Sequence, residues 1–239
     1  MASKSVTVDN RTFDISYEIV NPTATKDFVV LHGWGSNKEI MKNSFSSHLK
    51  GFRHIYIDLP GFGKSLNSYE LTTSDYVKIT DEFLSQVKST KDIIAGHSYG
   101  GKVSTLLNPK NLVLLSSAGI LEEKPFDVKL KIAVSKFFNS IGLGNITKAF
   151  RSKDVNSMSE NMYATFKNVV NEDFTTHFSN FKNNALLFWG EKDTATSLES
   201  GKKMASLIDN STFISYDGDH YFFVKNAKDI CERIENGIL

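Results

Sequence analysis

The sequence predicts an α/β fold: a mostly parallel sheet flanked by helices, with a helical segment inserted before one of the last strands. Three observations predict it. Short, nearly continuous apolar runs alternate with stretches of 3.6-residue apolar spacing, the pattern of strands buried on both faces and of helices covering them. That rhythm stops between residues 120 and 182 and then resumes. The chain has 239 residues, 40% of them hydrophobic and 23% charged, enough for one such domain with a large core.

Residues 4–20 read as two short strands around the turn Asp9-Asn10. DFVVLHG (27–33) is a third, buried strand, and Ser36-Asn-Lys-Glu39 has the form of a capping box opening a helix that carries Ile40, Met41, Phe45 and Leu49. HIYIDLP (54–60) is the next strand. A helix from Thr72 to Val87 follows, with apolar residues at 76, 79, 83, 84 and 87. DIIAGHS (92–98) is a strand, Tyr99–Leu107 a short helix and NLVLLSSAG (111–119) another strand. After the break come ALLFWGEKD (185–193), a helix capped by Thr196-Ser-Leu-Glu199, STFISYDG (211–218) and a last helix over about 222–237. The expected core is therefore 1–119 with 183–239. Residues 120–182, with Val134, Phe137, Phe138 and Ile141 at helical spacing, are expected as a cap over the C-terminal strand edge, where such sheets bind ligands.

The charges nearly cancel, 28 basic against 27 acidic, so no electrostatic case for nucleic acid arises and none is expected as a partner. A lone Cys231 in the last helix reads as a small buried side chain. It forms no internal disulfide, which fits a reducing compartment. MASKSVTVDN lacks the apolar centre of a signal peptide, and runs such as Phe28-Val-Val-Leu31 are too short to span a bilayer, so the expected location is cytoplasmic. Gly61-Phe-Gly63-Lys-Ser65 lacks the spacing of a phosphate-binding loop. With no metal-ligand cluster or dinucleotide fingerprint, no cofactor and no metal are expected.

Ser98 lies in Gly96-His-Ser-Tyr-Gly100, at the junction of a buried strand and a helix. Glycines on both sides allow a turn too tight for side chains, which lifts the hydroxyl clear of the sheet at the positive end of the next helix. A serine hydroxyl needs a base, and the base an orienting acid. His220, at the end of the last strand, is the candidate base, and Asp193, closing 185–193, the candidate acid. Asp217 and Asp219 are too near His220 in sequence and are expected to brace the turn. His48, His54 and His177 read as surface or element-end residues, His97 as packed inside the turn, and His32 as bonded to loop backbone. Backbone N–H groups of Tyr99, after the serine, and of Trp34, in Leu31-His-Gly-Trp-Gly35, are the candidate oxyanion donors.

HGWG (32–35), DLPGFGKS (58–65), GHSYGG (96–101), FWGEKD (188–193) and GDH (218–220) together resemble the α/β-hydrolase superfamily over nearly the whole chain outside the insertion. The first three look most like its small esterase and lipase-like members, including the pimeloyl-ester carboxylesterases. Haloalkane dehalogenases and epoxide hydrolases share that fold but carry an aspartate where this chain has Ser98. Two departures stand out, and neither is expected to touch the triad. Pro109 trims the helix after Ser98, and Thr194-Ala-Thr-Ser197 follows Asp193 where many relatives have a proline.

The resemblance implies a serine hydrolase acting on a small-molecule carboxylic ester or thioester of a small to medium acyl group. An apolar acyl pocket fits the aromatic residues of the insertion, Phe126, Phe137, Phe138, Phe150, Tyr163 and Phe166. Three alternatives stay open. A proline-iminopeptidase-like enzyme would use Glu122, Glu123, Glu160 or Glu172 to hold a free amino terminus. A carbon–carbon bond hydrolase shares the same machinery, and some proteins of this fold serve as small-molecule receptors. Membrane docking through Lys129, Lys131 and Lys136 is the weaker reading of what a solvated helix face explains.

Overall fold

The computed structural model describes residues 2–122 and 158–238. The strands are β1 (Ala2–Val8), β2 (Arg11–Val20), β3 (Lys26–Leu31), β4 (Phe52–Ile57), β5 (Ile93–His97), β6 (Asn111–Leu115), β7 (Asn184–Gly190) and β8 (Ser211–Tyr216). They form one sheet in the order β1-β2-β4-β3-β5-β6-β7-β8. β1 and β2 pair antiparallel, as do β2 and β4, and every later pair is parallel. The helices are α1 (Lys38–Phe45), α2 (Thr73–Gln86), α3 (Tyr99–Leu106), α4 (Glu160–Val170), α5 (Thr175–Asn180), α6 (Leu198–Leu207) and α7 (Phe223–Ile238). Among the described residues no helix is long and apolar enough to cross a membrane.

The two-residue alternation of β3 divides the core. Val29 and Leu31 face α2 and α3 in a cluster with Tyr76, Ile79, Phe83, Leu84 and Val103. Phe28 and Val30 face α1 and α7, packing with Met41, Phe45, Phe223, Ile230 and the buried Cys231. Full burial of each large side chain contributes about 1.5–3 kcal/mol. α2 keeps the expected limits because Thr72 and Asp75 form a reciprocal capping box. The β1–β2 turn falls at Asp9-Asn10 as expected, both residues in the left-handed region that a tight hairpin requires.

Three expectations fail locally. α1 starts one residue late, capped by Asn37, whose side chain accepts from Glu39 N–H, while Ser36 Oγ is buried without a partner. It also ends at Phe45: Leu49 has φ 45° and sits in the following turn. His54 is not a surface residue. It is wholly buried between the Tyr56 hydroxyl (2.7 Å) and the Leu49 carbonyl (3.0 Å).

Of the inserted segment, Val134, Phe137, Phe138 and Ile141, the lysines at 129, 131 and 136, Glu123, Phe126 and Phe150 lie outside the described residues. The described part, from 158 onward, lies on the core. Leu71 N–H donates to Thr165 Oγ1 (2.9 Å), and Asn161 Nδ2 donates to the Asn67 carbonyl (3.0 Å).

Candidate active site

The parallel strands β5, β7 and β8 each end at the same edge of the sheet, followed by Ser98, Asp193 and His220 respectively. Ser98 has φ 52° and ψ −118°, a conformation that costs a non-glycine residue on the order of 1–3 kcal/mol. Its neighbours explain how it is held. A Cβ on Gly96 would lie 2.4 Å from both the Gly100 carbonyl oxygen and Ser104 Oγ, and one on Gly100 would lie 2.6 Å from the His32 carbonyl oxygen. The Ser98 carbonyl accepts from Gly101 N–H (3.0 Å) and Ala118 N–H (3.0 Å). The backbone is thus pinned while the hydroxyl oxygen is buried with no hydrogen-bond partner.

Asp193 and His220 are both buried, and His220 Nδ1 donates to Asp193 Oδ2 at 2.7 Å. The carboxylate can only accept, so Nδ1 carries the proton and Nε2 the lone pair, and Nε2 too is buried without a partner. Burial pushes the Asp193 carboxyl up. The adjacent His220 ring and several donors outweigh it and hold the group below its ordinary value. The carboxylate accepts from Ala195 N–H (2.8 Å) and Thr196 N–H (3.0 Å) on Oδ1, and from Thr196 Oγ1 (2.9 Å) on Oδ2.

The loop after β3 packs against the serine: a Cβ on Gly33 would lie 2.9 Å from that of Ser98. His32 shapes this loop. Its Nε2 accepts from Leu59 N–H (3.0 Å), so Nδ1 carries the proton and donates to the Gly33 carbonyl (2.8 Å). Ser36 N–H holds the same carbonyl at 3.1 Å. In a trans peptide the Trp34 N–H therefore faces away from that pair. Tyr99, first residue of α3, has an N–H that its helix leaves unused. The Trp34 ring meets Tyr99 (5.7 Å) and Phe166 of α4 (5.3 Å). Below the loop, Asp58 of the DLPGFGKS stretch takes Lys64 N–H from the same stretch (3.0 Å) and, from α1, Lys38 Nζ (2.7 Å) and Lys38 N–H (2.8 Å).

Comparison with known proteins shows the family. Residues 28–230 match the model of the alpha/beta hydrolase family. The chain belongs to the α/β-hydrolase family. A pimeloyl-[acyl-carrier protein] methyl ester esterase of Vibrio campbellii is 36% identical over 107 residues, 42% of this chain and 41% of that protein. The esterase of the same name from Wigglesworthia glossinidia brevipalpis is 27% identical over 204 residues, 80% of this chain and 70% of its own length. The matched stretch thus spans about two fifths of the Vibrio relative's length. In fold, this α/β hydrolase superposes on an esterase from Exiguobacterium antarcticum with a TM-score of 0.79 at 18% identity, 99% of each chain being covered.

Beside the expected residues, this α/β-hydrolase site contains groups that sequence reasoning missed. Thr196 was expected to cap the next helix and to leave the triad alone. Instead Ser197 caps α6 by accepting from Ser200 N–H, and Thr196 clamps Asp193. Asp219 braces its turn as expected, accepting from Tyr221 N–H (2.9 Å), whereas Asp217 pairs with Lys192. His97 does pack in the turn, its ring 4.6 Å from that of His220. It also donates from Nε2 to the His220 carbonyl (2.9 Å), tying serine turn to histidine loop. Burial, then the neighbouring His220, push its pKa well below the ordinary value, so it stays neutral.

Proposed function

We propose that this α/β hydrolase is a serine esterase, cleaving a carboxylic ester or thioester of a small to medium apolar acyl group through an acyl-enzyme. One observation carries the reading: Ser98 Oγ and His220 Nε2 are buried at the same sheet edge, both without partners, with the Nε2 lone pair fixed by the Asp193 bond. A hydroxyl and a basic nitrogen left in that state fit a nucleophile and its base.

Ser98 Oγ attacks the carbonyl carbon as its proton passes to His220 Nε2, and Asp193 holds the imidazolium that forms. The Trp34 and Tyr99 N–H groups receive the tetrahedral oxyanion. Collapse expels the alcohol or thiol, which takes the proton from His220. Water, deprotonated by His220, then attacks the acyl-serine; the C–Oγ bond breaks, Ser98 Oγ takes the proton back from His220, and the acid is released. Residues 120–182 act as the cap over the site, and residues 1–119 with 183–239 as the core.

Two observations favour an ester over a peptide. The relatives carry methyl-ester esterase names. Two of the carboxylates that a peptidase would need are also engaged. Glu122 accepts from Ser197 N–H (2.8 Å) and Ser200 Oγ (2.5 Å), and Glu172 accepts from Thr73 Oγ1. The test is hydrolysis of p-nitrophenyl esters from acetyl to dodecanoyl by the wild type and by Ser98→Ala. Turnover with an optimum at short or medium acyl length, lost in the variant, is expected. No turnover by folded wild-type protein, or activity surviving in the variant, would overturn the proposal.

A further inference from the structure

α3 buries Gly100, Gly101, Val103, Ser104 and Thr105, and in their midst a lysine, Lys102, only 1% exposed. Burying an ammonium costs heavily unless its protons are taken up. Here the takers are backbone. Lys102 Nζ donates to the Val169 carbonyl (2.8 Å) and the Glu172 carbonyl (3.1 Å), and lies 5.0 Å from the centre of the Phe174 ring. The nearest carboxylate oxygen, on Glu172, is at 3.7 Å. The Val169 carbonyl belongs to the last turn of α4, where a helix leaves its C=O groups without partners and carries partial negative charge, and the Glu172 carbonyl lies two residues past the helix end. Lys102 is a cap supplied from another helix.

The position of that cap matters for the site. Trp34, Tyr99, Lys102, Ala118, Phe166 and Val169 line one small cavity, with Val170 completing it. α4 is fastened elsewhere by Asn161, in its first turn, and Thr165, at its middle. Its C-terminal turn, which bears Val169 and Val170, is held by Asn168, whose Nδ2 donates to Glu70 Oε1 (2.9 Å) and the Leu71 carbonyl (3.3 Å), and on its inner side by Lys102.

We propose that Lys102 is a positioning residue for substrate: by capping α4 from the helix behind the serine, it sets where Phe166, Val169 and Val170 stand against Trp34 and Tyr99 beside the site. This rests on the serine-esterase reading. Burial, opposed by Glu172, pulls the lysine pKa down to about 8. The cap is therefore charged below that pH and weakens as pH rises through it. The charged groups facing it among the described residues are Glu172 and Asp173. Tyr99, on its own helix, is pushed well above its ordinary value by burial and does not titrate in that window.

The test has two readouts. In Lys102→Met, KM for butanoyl to octanoyl esters is expected to rise about tenfold while kcat falls less than about threefold, the mark of a binding wall and not of the reacting groups. Amide hydrogen exchange should quicken at 166–172 and stay unchanged in α2 and in β5. Exchange needs no turnover, so a wild type inactive on every ester would sink the esterase reading and leave this one still measurable. If Lys102→Met does not fold, wild-type protein is compared between pH 7 and pH 9.5. Exchange at 166–172, corrected for intrinsic rate, should rise with a midpoint near 8. Unchanged exchange there, or kcat and KM worsening together with a lowered Tm, would overturn the proposal.

Discussion

The two edges of the sheet carry similar side chains and treat them in opposite ways. At the N-terminal edge Asp27 is buried, and its carboxylate accepts from Arg53 Nε (2.7 Å), Arg53 Nη2 (2.8 Å) and Thr90 N–H (2.9 Å). Its neighbour Asp92 takes Asp27 N–H (3.0 Å) and Lys110 Nζ (2.6 Å). At the C-terminal edge Asp193 is as fully engaged, but His97 Nδ1, Ser98 Oγ and His220 Nε2 have no partner. They are three of the five such buried side-chain atoms among the described residues, gathered at one place. Each costs about 1–3 kcal/mol to leave unmade. Saturation marks the edge that stabilises the fold, and concentrated want of partners marks the edge to which the proposed mechanism assigns the chemistry.

The sharpest way to break this comparison is Ser98→Ala. On the proposed mechanism it removes about 10⁶ in kcat. Because the lost hydroxyl has no partner, Tm should hold or rise, and a calorimetric fall of several degrees would show that the hydroxyl serves the fold. Next comes Asp193→Asn, expected to cut kcat by roughly 10⁴ through the wrong histidine tautomer. An undiminished rate would place the orienting acid elsewhere.

At the opposite edge the expectation reverses. Asp27→Asn should lower stability by about 2–3 kcal/mol in urea unfolding, with kcat near that of the wild type. The pH dependence follows from the same pair. Burial raises the Asp27 carboxyl, but Arg53 and its other donors bring the net value below 3.8. Its contribution is therefore complete above about pH 4, the unfolded-state value, and is lost as pH falls through the lower folded-state value. Wild-type stability should fall more steeply with acid than that of Asp27→Asn, and parallel curves would remove Asp27 from the account. The smallest effect expected is that of Thr196→Val. Losing one bond to Asp193 Oδ2 should slow turnover about tenfold with little change in KM, measurable in the same ester assay.

Much of this was legible in the sequence because it is local. Strand and helix succession follows from apolar spacing. The Ser98 turn announces itself through glycines within two residues, and Asp193 and His220 each stand where a strand runs out. What escaped has partners far along the chain. Lys102 looks like a surface residue of a short helix until α4, nearly seventy residues on, offers its carbonyls. His54 needs Leu49 turned back over it by a left-handed residue, and Lys38 needs Asp58 across a strand. Thr196 was misread for another reason. Thr196 and Ser197 could each begin the helix, and only the position of Asp193 decides which one does.

The bond from His97 to the carbonyl of His220 spans 123 positions. A chain emerging from the ribosome has its serine turn complete long before the residues that supply the base exist. On the proposed mechanism the site becomes competent only when β8 and α7 dock. During refolding, helical signal should therefore return before esterase activity does, the interval measuring how long the last strand takes to find its place.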